Sequence, residues 1–274
     1  MNGILTIAQL TWLEARRRRI VLAAVLCGLV FLLVFGTAVW FLPPRTARNL
    51  LLAQLQLQTM TLAGLYVVDF LVVAFAVMLP VDTLSGEISS GVIQTLASKP
   101  ISRLDILLGK WLVYWLMLAG YILFMVMGIA GIMWFLAGFA QHNLLPALGL
   151  IQLQASVLLS ITIAGGVHLS TVTNGIVAFA FYALSFIGGM IEQIGVMIGN
   201  ASSRYIGTAI SLVSPSDAIQ RLAMHVLQPA VMSQVQISPF GGGSVPSKAM
   251  VWWSVGYVVV TIAIANRAFR RRAL

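Results

Sequence analysis

Charge is what this chain has least of. Only 8% of its 274 residues are Asp, Glu, Lys or Arg, whereas 60% are hydrophobic. A soluble domain of this size carries roughly a quarter charged residues and has no core large enough for so much apolar surface. Lipid is the solvent that fits. Cysteine is nearly absent too: Cys27 stands alone inside an apolar run. That excludes a disulfide framework or a thiolate metal site within one chain and leaves Cys27 as an expected small core residue. The three histidines, His142, His168 and His225, are far apart, and no H-E-x-x-H occurs, so a metal or protease site is not expected. No nucleophile elbow or Ser/His/Asp arrangement is apparent. A phosphate-binding loop is missing as well: "LLGKW" has a Gly-Lys pair, but Leu104 stands where the first glycine belongs and Trp111 where the magnesium-holding Ser/Thr belongs. The chain cannot bind ATP by that route. Repeats of 20–50 residues are not readable, and the twelve methionines are scattered through apolar runs as filler.

What is present is a set of long uncharged runs: Ile20–Leu42, Trp111–Ile191 and Ala249–Asn266. Each meets or approaches the roughly 20 apolar residues that cross a bilayer. Six spans fit best, at about Ile20–Leu42, Leu62–Val81, Trp111–Phe139, Leu148–Leu169, Gly175–Ile198 and Val251–Asn266. The third is longer than a bilayer needs and is therefore tilted or extended beyond it. The first begins after "RRRR" but runs 23 residues. A signal-peptide core runs roughly 7–15, so an uncleaved anchor is expected. "AVLCG" lacks the leucine of a lipoprotein signal.

Six spans put both termini on one side. That side collects Arg16–Arg19, Lys99, Arg103, Lys110, Arg267 and Arg270–Arg272, whereas the other holds Arg45, Arg48, Arg204, Arg221 and Lys248. The excess of positive charge predicts cytoplasmic N- and C-termini. The net charge of +9 therefore reads as lipid-facing rather than as a nucleic-acid surface, since the basic residues flank the apolar runs. The expected fold is all-α and polytopic: a single membrane domain over 1–274. Its first 19 residues set Ile4, Ile7, Ala8, Thr11 and Ala15 at helical spacing, which predicts an amphipathic helix on the cytoplasmic leaflet. A plain basic topology anchor is the alternative.

The segment 82–110 interrupts this pattern. Ser85 is placed to cap a helix, with Glu87 in its first turn facing the positive end of the helix dipole. Ile88, Val92 and Leu96 follow at i, i+4 and i+8 on one stripe. Pro100 stops that helix, and Ser102 with Asp105 forms a capping-box pattern leading into the third span. Either the helix lies on the headgroups as an ordinary loop or it is offered to a cytoplasmic partner.

Glu87, Gly91, Leu96, Pro100, Ser102, Arg103, Leu107, Gly109 and Lys110 resemble a pattern in the first cytoplasmic loop of permease subunits of type-2 ABC transporters. The likeness is to the group that includes the nitrous-oxide-reductase maturation permease. It extends more weakly to the basic N-terminal helix, the six spans, "SPSDA" in the last external loop and the basic C-terminus. The resemblance implies a coupling helix that docks in a groove of a separate ATPase and moves with it. An apolar stripe of Ile88, Val92 and Leu96 would be buried there, with Glu87, Lys99 and Arg103 as polar anchors. Ser102 and Lys110 would belong to the connection into the span. It further implies two ATPase subunits that hold ATP and magnesium, no cofactor on this chain, and a second permease copy or a similar permease. The expected setting is the bacterial inner membrane. The expected function is ATP-driven movement of a substrate, as export; the rivals are a mechanical relay to a periplasmic protein and an ATPase-independent transporter or enzyme.

Two acidic residues stand apart. Asp69 falls in the middle of the second span, where a carboxylate is costly. It either lines a translocation path or senses a proton, or it packs against polar groups of neighbouring spans such as Thr162 or His168. Glu192, near the outer end of the fifth span, is a possible gate. In the external segment 199–248, "SPSDAIQRLAMHVLQP" places Ser214, Pro215 and Asp217 as a helix start. Ile219, Leu222, Ala223, Val226 and Leu227 form an apolar stripe opposite Gln220, Arg221 and His225. This predicts a helix lying at the external membrane surface.

Overall fold

A computed structural model describes residues 3–41, 50–86, 102–228 and 245–271. Among the described residues the elements are all helical: α1 (Gly3–Arg16), α2 (Arg19–Trp40), α3 (Leu50–Met78), α4 (Arg103–Ala137), α5 (Leu144–Gly165), α6 (Thr171–Met197), α7 (Ala201–Val213), α8 (Ser216–Val226) and α9 (Ala249–Arg271). Six of them, α2 to α6 and α9, are long and apolar enough to cross a membrane, matching the six expected spans. The chain is a polytopic all-α membrane protein.

The core lies where α3, α4 and α5 meet, filled by side chains such as Leu65, Val72, Leu118, Met125 and Leu158. Hydrogen bonds between spans reinforce it: the Trp111 and Trp115 indoles donate to Ser160 Oγ at 3.0 Å and Ser156 Oγ at 2.9 Å. In hydrocarbon such bonds contribute about 0.6–2 kcal/mol each. The helix α2 stands at the periphery, burying only Gly28, Phe35 and Val39. Cys27 is accordingly exposed on it rather than in the core, because an outer helix of a membrane protein turns its apolar side chains to lipid.

The stripe expected on α1 is real, but it faces protein. Ile7, Ala8, Thr11 and Ala15 are buried, and Ile7 packs on Gly109 of α4, where any side chain would meet it. A second apolar face, with Leu5, Trp12 and Leu13, points outward. The α4 helix starts as expected: Ser102 Oγ accepts from the Asp105 N–H at 3.1 Å, and the Asp105 carboxylate accepts from the Ser102 N–H at 3.3 Å. From there it runs 35 residues without a break, roughly 52 Å at 1.5 Å per residue.

The segment 199–248 departs most from expectation. It contributes α7, for which the sequence reading had no helix, and α8, which does not lie at a surface. Contacts place α7 antiparallel against α6, with Ser203 by Gly195, Glu192 by Gly207 and Ile210 by Gly188. Its end at Ser214 reaches Ser185, midway along α6. The α8 helix then climbs back, so α7 and α8 form a helical hairpin inserted into the bundle. Every residue of α8 from Ser216 to Met224 is buried, the polar ones included.

Candidate functional site

The hairpin tip is built from serines. Ser185 Oγ donates to the Ser214 carbonyl at 2.6 Å and accepts from the Asp217 N–H at 2.9 Å. Ser214 Oγ donates to the Phe181 carbonyl at 3.0 Å. These bonds satisfy backbone groups that sit deep in the bundle, a requirement wherever non-helical backbone is buried. Ser214 is thus not the cap of α8. Pro215 holds that position without a side-chain bond, and Asp217 is engaged elsewhere. At the other end of α8 the orphan carbonyls find side-chain donors. Leu227 O accepts from Gln58 Nε2 of α3 at 3.0 Å and Val226 O from Asn143 Nδ2 at 3.2 Å.

Between these ends Arg221 joins two acids. Its Nε donates to Asp217 Oδ2 and its terminal Nη2 to Glu192 Oε2, each at 2.9 Å. The guanidinium is 7% exposed and the two carboxyl side chains 7% and 13%, so the triad pins α8 to α6 in a largely dry setting. One guanidinium for two carboxylates leaves an excess negative charge. Asp217 and Glu192 thus depend on the same guanidinium for their counter-charge. The sequence held half of this signal, since Asp217 and Arg221 are i, i+4 on one helix. The partner Glu192 lies 25 or more residues away and needed the fold.

Asp69 lies beneath the tip, on the side toward the chain termini, with 1% exposure. The Gln154 amide of α5 and the Tyr182 hydroxyl of α6 interact with it. Both stand outside hydrogen-bonding geometry, so neither carboxyl oxygen has a bonded partner, and the Gln154 amide is unbonded too. Of the neighbours expected from sequence, Thr162 spends its hydroxyl on the Leu158 carbonyl and His168 is exposed beyond the end of α5. Asp69 and the triad share one polar interior, bounded by α3, α5, α6 and α8. The two acids singled out from sequence therefore meet in one region, Glu192 bonded and Asp69 not.

At the opposite end of the bundle, the other candidate residues divide. Glu87, Ile88, Gly91, Val92, Leu96 and Pro100 lie outside the described residues. The two chain segments flanking them are described, and both are tied down. Before them, Thr83 Oγ1 and Tyr114 Oη are 2.6 Å apart, Lys110 Nζ donates to the Thr83 carbonyl at 3.4 Å, and Ser85 Oγ donates to Val81 O at 3.0 Å. Thr171 Oγ1 donates to Asp82 Oδ1 at 2.9 Å, and Asn174 Nδ2 donates to Val81 O at 3.2 Å. After them comes the Ser102 capping box. Lys110 is 4% exposed, so its stem and ammonium belong to this seam. Arg103 reaches the end of α9, donating to the Phe269 carbonyl at 2.6 Å with its guanidinium 5.7 Å from the Phe269 ring.

No curated protein matches this sequence. A family model described as "ABC-2 family transporter protein" matches residues 5–274, and with nearly the whole length covered, on a bundle of six spans with a polar interior, the chain belongs to the ABC-2 family of transporter membrane proteins, as a permease component of an ABC transporter.

Proposed function

We propose that this permease couples ATP hydrolysis on two copies of a separate ATPase to the export of a substrate across the bacterial inner membrane. It does so as a homodimer or paired with a similar permease, with ATP and magnesium held by the ATPases. The observation that carries the reading is the anchoring on both sides of residues 87–101. The Thr83–Tyr114–Lys110 seam and the Ser102 capping box leave no slack beside the segment, so a push on it passes into α4. Its resemblance to the coupling loop of the nitrous-oxide-reductase maturation group supports the same role. Glu87, Ile88, Gly91, Val92, Leu96 and Pro100 supply the docked helix. Ser102, Arg103 and Lys110 transmit its movement to α4 and α9.

The α7–α8 hairpin is the outer gate in this reading. Held by Arg221 between Glu192 and Asp217, it closes the bundle above Asp69, whose unbonded carboxyl faces the path that opens when the hairpin lifts. The burial of α8 removes that helix as a docking face for a periplasmic protein.

The test is purification of the tagged chain from its native membrane after mild cross-linking, with mass spectrometry of its companions. A P-loop ATPase is expected with the wild type and not with Glu87→Ala combined with Val92→Asp. An ATPase retained by the variant removes the docking role from this segment. No ATPase in either preparation removes the coupling itself.

A further inference from the structure

The end of α9 nearest the C-terminus carries a feature that gating and coupling leave unused. Arg267 and Arg271 are i, i+4 on its outer face, in line with Ile264 one turn earlier and Val260 one turn before that. Two hollows flank this line. One, of about 570 Å³, is walled by His168, Ile264, Arg267, Ala268 and Arg271. The other, of about 610 Å³, runs along Val260, Ile264, Arg267, Arg270 and Arg271. Both are open grooves along the helix rather than enclosed cavities.

Arg267, Arg271 and His168 make no side-chain hydrogen bond or ion pair with the described residues. Among the described residues, the acids of this end of the bundle have other partners: Glu14 pairs with Arg18, Asp82 accepts from Thr171, and Asp105 belongs to the capping box. The hollows therefore combine arginines that no described acid neutralises with an apolar floor. That floor descends along the span, with Ile264 60% and Val260 57% exposed.

We propose that this is a seat for an anionic phospholipid, its phosphodiester between Arg267 and Arg271 and its acyl chains along Ile264 and Val260. A free phosphate or an acidic protein surface would use the arginines alone. The continuous apolar floor one and two turns deeper favours a ligand with a charged head and a long hydrocarbon tail.

The experiment is native mass spectrometry of the detergent-purified full chain, titrated with phosphatidylglycerol or with phosphatidylcholine. Phosphatidylglycerol is expected to be retained roughly tenfold more than phosphatidylcholine, as two basic side chains at a surface allow. Arg267→Gln with Arg271→Gln should abolish that preference, Arg267→Lys with Arg271→Lys should keep much of it, and Arg16→Gln with Arg17→Gln should leave it unchanged. Inorganic phosphate in excess should displace little of the lipid. Equal retention of the two lipids by the wild type overturns the proposal without recourse to any variant. So does loss of the preference in the Arg16/Arg17 variant, which would mean diffuse surface charge. Full displacement by inorganic phosphate reduces the site to an anion site without a lipid tail, and the proposal fails.

Discussion

Arg221 holds two carboxylates with one side chain, which makes it the residue on which the hairpin depends most. Removing one partner of a buried ionic group leaves an uncompensated charge, at a cost of about 3–5 kcal/mol. Arg221→Ala should therefore lower the thermal midpoint of the detergent-solubilised protein by far more than Glu192→Gln, which leaves the Asp217–Arg221 pair in place. Equal effects would mean that the charge balance of the triad is not what holds α8.

Among the elements, the approach of α8 to α6 is set by a missing side chain. A methyl group at Gly189 would land on the Asp217 carboxylate, whereas one at Gly120 on α4 would meet nothing within 4 Å. Gly189→Ala should break the triad and lower the midpoint. Gly120→Ala should leave it unchanged or raise it, since alanine is the better helix former by up to about 1 kcal/mol. Parallel behaviour of the two variants would refute the packing described for the hairpin. Much at this scale was legible in the sequence. The spans follow from uncharged length, the Ser102–Asp105 box from its spacing, and the buried stripe of α1 from periodicity. The polar face of α8 was misread for a physical reason: a helix with one charged face is normally solvated on that face, and here Glu192 of α6 takes the place of water. The α7 helix, "ASSRYIGTAISLV", has no long apolar run to mark it, and the one signal it carries is its cap, Asn200, whose side chain accepts from the Ser202 and Ser203 N–H groups. Its glycine-spaced packing on α6 appears only when the two are side by side. Asp69 was recognised as unusual, but its neighbours Gln154 and Tyr182 come from helices more than 80 residues away.

At the scale of the whole molecule, an even number of spans sends both termini to one face, and the arginine bias predicts that this face is the cytoplasmic one. His142, in the turn between α4 and α5, and His168, between α5 and α6, are both exposed and lie at opposite ends of α5. In a Cys27→Ser background, His142→Cys should react with a membrane-impermeant maleimide in intact cells and His168→Cys only after permeabilisation. The reverse pattern would invert the assigned orientation. The first and last described helices both reach the start of α4. A side chain at Gly3 would touch Asp105, and the Phe269 carbonyl accepts from Arg103. Within a single turn at the start of α4, therefore, the first and last helices are both in contact with the same short stretch. That turn is thus a common anchor for two helices more than 230 residues apart in sequence. A displacement of it would be passed to both helices at once.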